Sequence, residues 1–160
     1  MARLGKILVV VSVLVFMASV TFAAESIAWS VKGGGYGNWL QVTSVNTTAA
    51  NGSLTTTALQ DGTGRVLDLN GYYLYSVSIY YGATGPTDDS DLTLLEHTSA
   101  GKDVLHGAGA DMIDNAGNTS FKPWVNGTEC AMPIYGKLYQ AVANNVVDTA
   151  IFTIVYRFIK

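Results

Sequence analysis

Alternation of apolar and polar residues is the dominant pattern in this chain, and it is clearest at the C-terminal end. In Thr149–Ile159, TAIFTIVYRFI, one face carries Ala150, Phe152, Ile154, Tyr156 and Phe158. The other face carries Thr149, Ile151, Thr153, Val155 and Arg157. Apolar residues on both faces predict a central strand, covered on two sides or with its outer face against a partner, and paired with both Lys137–Ala143 and Tyr72–Tyr81. The Tyr72–Tyr81 segment, YYLYSVSIYY, sorts Tyr73, Tyr75, Val77, Ile79 and Tyr81 onto one face and Leu74, Ser76, Ser78 and Tyr80 onto the other. Weaker strand patterns fall at Ile27–Lys32, Trp39–Val45, Leu54–Leu59, Arg65–Leu69, Asp91–His97, Asp103–Leu105, Lys122–Val125 and Lys137–Ala143. Asn51-Gly52, Asp61-Gly62, Asn70-Gly71, Gly85-Pro86 and Asn126-Gly127 separate them, and Asn144-Asn145 is expected to turn Lys137–Ala143 back onto the last strand. Such dipeptides supply positive φ at low cost. Gly136–Val147 fits a helical face through Leu138, Ala141 and Val142, and fits a strand comparably well through Leu138, Gln140 and Val142. Many short strands with frequent turns predict an all-β fold, a single antiparallel β-sandwich of jelly-roll-like or immunoglobulin-like kind.

The first residues break this pattern. MARLGKILVVVSVLVFMASVTFAA places Arg3 and Lys6 before an apolar run from Ile7 to Val20, followed by small residues at Thr21, Ala23 and Ala24. That layout predicts a secretory signal peptide over residues 1–23 and a β-sandwich domain over 24–160. The apolar run is shorter than the roughly 20 residues a spanning helix needs, and no basic cluster follows it. The expected location is therefore secreted or at the cell surface, in a bacterial periplasm or outside the cell, with no stable membrane span after cleavage.

Composition narrows the partners. Losing Arg3 and Lys6 moves the formal net charge from −3 to −5 and leaves no basic stripe, so nucleic acid is not an expected partner. A lone cysteine, Cys130, rules out an internal disulfide and a cysteine zinc site. Its apolar setting in TECAMPI predicts a buried free thiol.

Candidate chemistry is sparse. His97 and His106 form no metal-ligand spacing, and no nucleophile elbow is present. Gly33–Gly37 leads into a strand rather than the helix N-terminus a phosphate cradle requires. Asp88, Asp89 and Asp91 in GPTDDSD form an oxygen-rich loop, which makes calcium the one candidate cofactor. Asp111, Asp114 and Asn115 form a second acidic loop. Glycoside hydrolysis ranks third among functions, because no carboxyl pair sits in an apolar setting. Aromatic residues are more abundant than chemistry. Tyr36, Trp39, Tyr72, Tyr80 and Trp124 lie near turns or on less apolar strand faces and are the candidate binding residues.

From Tyr73 onward the chain resembles small β-sandwich proteins of phage, prophage and bacterial genomes. The segments LYSVSIYYG, ATGPTDDSDLTLLEH, GKDVLHGAGADMID and GKLYQAVANNVVDTAIFTIVYRF carry the resemblance. It implies a virion- or surface-associated protein with no catalytic residues to transfer, and the export leader favours the surface. Together these readings predict an exported, non-enzymatic structural or assembly protein, a subunit of an extracellular layer, filament or particle. Its partner would be a second copy or another surface or particle protein. The alternative is a carbohydrate- or surface-binding module with a glycan as ligand.

Overall fold

The computed structural model describes residues 24–33, 38–126 and 128–160. The leader, residues 1–23, lies outside them, as do Tyr36 and most of the Gly-rich turn. The strands run β1 (Ser26–Gly33), β2 (Trp39–Thr47), β3 (Thr57–Ala58), β4 (Tyr73–Tyr81), β5 (Asp91–Glu96), β6 (Thr119–Phe121), β7 (Trp124–Val125), β8 (Thr128–Glu129), β9 (Met132–Pro133), β10 (Leu138–Ala143) and β11 (Ile151–Ile159). No helix occurs among the described residues. A six-stranded sheet has the order β1-β2-β11-β4-β6, with β9 also on β4. A three-stranded sheet, β3-β10-β5, packs against it, and β7 and β8 form a separate ribbon. All pairings are antiparallel, so the fold is all-β and sandwich-like.

β11 is central, and of its two expected neighbours the Tyr72–Tyr81 segment is found, as β4, but Lys137–Ala143 is not. It pairs with β2 and β4. β10, in the expected Lys137–Ala143 segment, pairs with β3 and β5 in the opposite sheet. Asn144-Asn145 therefore starts a crossover between sheets rather than a hairpin. The ambiguous Gly136–Val147 segment is a strand over Leu138–Ala143. The Leu54–Leu59, Arg65–Leu69 and Asp103–Leu105 segments shrink to β3 and the isolated bridges Gln60–Val66 and Leu95–Asp103. Their backbone bonds go instead into tight turns, where Asp61 and Asp103 carboxylates accept several N–H groups.

A β-bulge corrects the facial sorting of β4. Arg157 pairs with Ser76 and Phe158 with Leu74, so Tyr75 is the extra residue. The alternation therefore changes phase at that point. Leu74, Val77 and Ile79 face the core, while Tyr73, Tyr75, Ser76, Ser78 and Tyr80 lie on the outer side.

The core joins the two sheets through Phe152, Ile154, Tyr156 and Phe158 of β11, Val42 of β2, Leu74, Val77 and Ile79 of β4, Leu92 and Leu94 of β5, and Leu138 of β10. A polar cluster lies inside it. Ser44, Asn46, Gln140 and Tyr156 each have 0% exposure. The Gln140 Oε1 accepts from Ser44 Oγ at 2.9 Å and from Tyr156 OH at 2.8 Å. Gln140 Nε2 donates to Asn46 Oδ1 at 2.6 Å, and Asn46 Nδ2 donates to Ser44 Oγ at 3.1 Å. Among the described residues no buried side-chain polar atom lacks a partner. Cys130, expected to be buried, is only half-buried, with its Sγ 4.0 Å from Met132 Sδ. It lies between the β7–β8 ribbon and the short β9, beyond the covered centre of the sheets.

Replacing Gln140 by Leu should strand the Ser44 and Tyr156 hydroxyls and Asn46 Oδ1 in the core. Each such group costs about 1–3 kcal/mol. The denaturant midpoint should therefore drop sharply with the slope unchanged, a test that a neutral result would fail. Burial pushes the Tyr156 phenol well above its ordinary pKa. The unfolded chain releases that proton near pH 10, while the folded chain retains it. Stability should fall as pH rises through this range, and Tyr156→Phe should flatten that part of the profile. Phe leaves Gln140 Oε1 its bond from Ser44.

At one end of the sandwich, Asn145 ties three segments together. Its Oδ1 accepts from Thr87 N at 2.7 Å and its Nδ2 donates to Gly52 O at 2.8 Å. Gly52 has φ +75°, and a Cβ there would lie 2.7 Å from Asn145 O. Gly52→Ala should destabilise by more than about 1 kcal/mol, measured by thermal melting.

Candidate functional site

The outer face of the larger sheet is exposed at its ends, whereas Val155, Ser76 and Ser78 in its middle are only 7%, 7% and 3% exposed. Register places its residues in rows across the strands. Trp39, Ile159 and Tyr73 form one row across β2, β11 and β4, and are 45%, 38% and 45% exposed. At about 4.8 Å per strand, the row spans roughly 10 Å. Gln41, Arg157 and Ser76 form the next row, followed by Thr43, Val155 and Ser78, then Val45, Thr153 and Tyr80. β1 continues the face with Ser26, Ala28, Ser30 and Lys32. Serine, threonine and apolar residues thus make most of a flat face.

Two of its cations have close partners. Arg157 Nη1 donates to Ser78 Oγ at 2.9 Å, and Ser78 Oγ lies 3.0 Å from Ser120 Oγ. Lys122 Nζ sits 5.3 Å from the centre of the Tyr75 ring and 3.6 Å from Glu129 Oε2. Such contacts orient exposed cations while adding little stability. The face is basic in balance, with Trp39, Ile159 and Tyr73 at one end and Tyr80 towards the other.

The residues singled out from sequence fall in several places. Trp39 and Tyr80 share the outer face, but lie about 20 Å apart along the strands, given the ladder positions of Ile159 and Thr153. Tyr72 is half-buried against the core, with Lys160 Nζ 5.3 Å from its ring centre. Trp124 pairs with Glu129 in the β7–β8 ribbon. Tyr36 lies outside the described residues. Those five do not make one row. Trp39 is joined instead by Ile159, Tyr73 and Tyr75. Ile159 was readable by extending the alternation of β11, whereas the outward placement of Tyr73 and Tyr75 depends on the bulge.

Asp88, Asp89 and Asp91 are not drawn together. Asp91 accepts from Asp111 N at 2.9 Å and from the Asn144 side chain. Asp88 approaches Asp114 of the second acidic loop. Asp89 is exposed, with φ 58°. Among the described residues, no three His, Cys, Asp or Glu side chains are grouped closely enough to hold a metal ion. The Ala116 N–H, with Asp88 beside it, holds the Asp114 carboxyl below the usual carboxylate range. A general acid needs the opposite shift.

Both histidines are exposed on positive-φ turns, His97 at 67° and His106 at 53°. His97 lines an open cleft of about 260 Å³ with Asp68, Asn70, Tyr135, Gly136 and Lys137. Glu96 Oε2 is 3.9 Å from His97 Nε2, while its other oxygen accepts from Tyr135 N at 2.7 Å.

Among the described residues no helix is long and apolar enough to cross a membrane. Comparison with protein families, curated proteins and solved structures finds no match to this chain, so the resemblance to phage and prophage β-sandwich proteins rests on its sequence motifs alone.

Proposed function

We propose that this is an exported, non-enzymatic assembly protein, a β-sandwich subunit of an extracellular layer, filament or particle. The observation that supports this most directly is the exposed Trp39–Ile159–Tyr73 row on the outer face of the larger sheet. Apolar surface of this kind costs free energy in water, and a protein neighbour would remove it. Aromatic anchors within a polar surround are also the usual make-up of a protein interface.

The same row favours a second reading, because flat, exposed rings stack on sugars. A glycan-binding module would use Trp39 and Tyr73 with Gln41 and Arg157 supplying hydrogen bonds from the adjoining row.

The full chain, purified as expressed, should associate at micromolar concentration in light scattering. Trp39→Ser with Tyr73→Ser should lower its mass while shifting the melting temperature little, since both side chains are exposed. A wild-type chain that stays monomeric throughout would sink the assembly reading. Glycan-array binding abolished by the same double substitution would transfer the row to carbohydrate.

A further inference from the structure

The larger sheet ends at β1, and that edge differs from the others. β6 and β9, on the far side, are three and two residues long. β3 is two residues long, and the chain beyond it folds back through the Gln60–Val66 bridge. β5 has its outer edge covered by the 102–109 turn. There Leu92 N donates to Gly109 O, Val104 N to Leu94 O and Glu96 N to Lys102 O, at 2.8, 2.8 and 3.0 Å. β1 instead runs eight residues in unbroken register with β2, with no bulge and no proline. Its one charged residue is Lys32, near the end. Among the described residues nothing bonds to the backbone on its outer side. A long, regular, open edge is a template for another strand, and natural proteins ordinarily blunt such edges. Among the described residues the other edges are blunted and the outer backbone groups of β1 have no hydrogen-bond partner, with only the Gly62 turn close to Trp29 O.

The inner face of β1 is also unfinished. Ile27, Trp29 and Val31 pack against the core but remain only partly buried. Beneath them, an opening of about 240 Å³ lies between the sheets, lined by Glu25, Ser26, Ile27, Trp29, Thr57 and Gln60. Bringing a further strand alongside β1 would cover both the backbone groups and this opening.

We infer that β1 is a self-pairing edge, docking antiparallel on β1 of a second copy. The inference rests on the assembly reading above and names its contact. A two-fold axis perpendicular to the sheet keeps inner residues opposite inner residues and outer opposite outer. With Trp29 opposite its own copy, Ile27 meets Val31, Ala28 meets Ser30 and Ser26 meets Lys32. The apolar side chains then cover one another, the outward pairs are small, and no like charges meet. This self-complementarity selects a second copy over an unrelated strand. An isologous contact closes on itself, so a layer or filament needs another. The Trp39–Ile159–Tyr73 row, on the outer face rather than the edge, supplies it.

The test uses the full chain and two double variants, Ala28→Lys/Ser30→Lys and Ala28→Glu/Ser30→Glu. These outward positions place like charges opposite each other in every two-fold register centred on residues 28–30. Like charges directly opposite oppose pairing. Self-association of each variant, measured by sedimentation, should weaken roughly tenfold or more. Mixing the two should restore it. In the wild type, β1 amides should gain protection from hydrogen exchange as concentration rises, and in each variant alone they should not. Full association and protection in the lysine variant would overturn the β1 contact while leaving the assembly reading standing. Failure of folded, dissociated variants to recover on mixing would also overturn it. A wild-type chain that is monomeric at all concentrations would remove both.

Discussion

A glutamine that reaches no water holds the two sheets in their relative position. Gln140 sits on the middle strand of the smaller sheet, and its amide meets Ser44 and Asn46 of β2 and Tyr156 of β11. Apolar packing is tolerant: a sandwich of Leu, Ile and Phe can slide by part of a residue at small cost. An amide with two donors and two acceptor sites in a dry core has no such freedom. A small displacement would leave several of its neighbours unpaired. The network therefore selects one arrangement of β10 above β2 and β11 from the many that hydrophobicity would accept.

The placement of β10 shapes the rest of the molecule. With β10 facing β11 rather than beside it, β11 receives β2 and β4 as neighbours. β2 brings β1 with it, which leaves a full-length hairpin strand as the sheet's last member. The core is consequently well satisfied at its centre and open at one margin. On the opposite surface of β11, Val155 is buried, Thr153 and Arg157 are half-buried and Ile159 is exposed. The two faces of that strand thus differ, one wholly in the core and the other running from buried at Val155 to exposed at Ile159.

Two surfaces of different symmetry have different consequences for assembly. An edge can join two copies and stop, because each strand edge accepts one other strand. A broad face can engage a further copy or ligand without competing for those backbone groups. Extended structures need at least two contacts of this sort, and their separation on β1 and on the Trp39 row lets each be altered without directly altering the other.

How much of this was legible from the chain depends on distance along it. Alternation in Thr149–Ile159 and in Leu138, Gln140 and Val142 is local, because successive side chains on an extended backbone must point to opposite faces. The all-β character, the central position of the last strand and the Asn51-Gly52 and Asn70-Gly71 turns follow from such local rules, with Gly52 and Gly71 at φ 75° and 82°. Strand neighbours do not. Gln140 meets Asn46 across 94 positions and Ser44 across 96, and no local pattern encodes that choice over a hairpin between β10 and β11. The Tyr75 bulge is similarly silent in sequence, since one inserted residue changes which aromatic rings face outward without altering composition or propensity. By itself, therefore, the sequence determined the long extended segments such as β4 and β11 and the alternation within β11, which backbone geometry dictates. The tertiary structure alone decided which strands are neighbours, where alternation slips, and which edge and face stay open, because these depend on long-range hydrogen bonds and on filling a shared core.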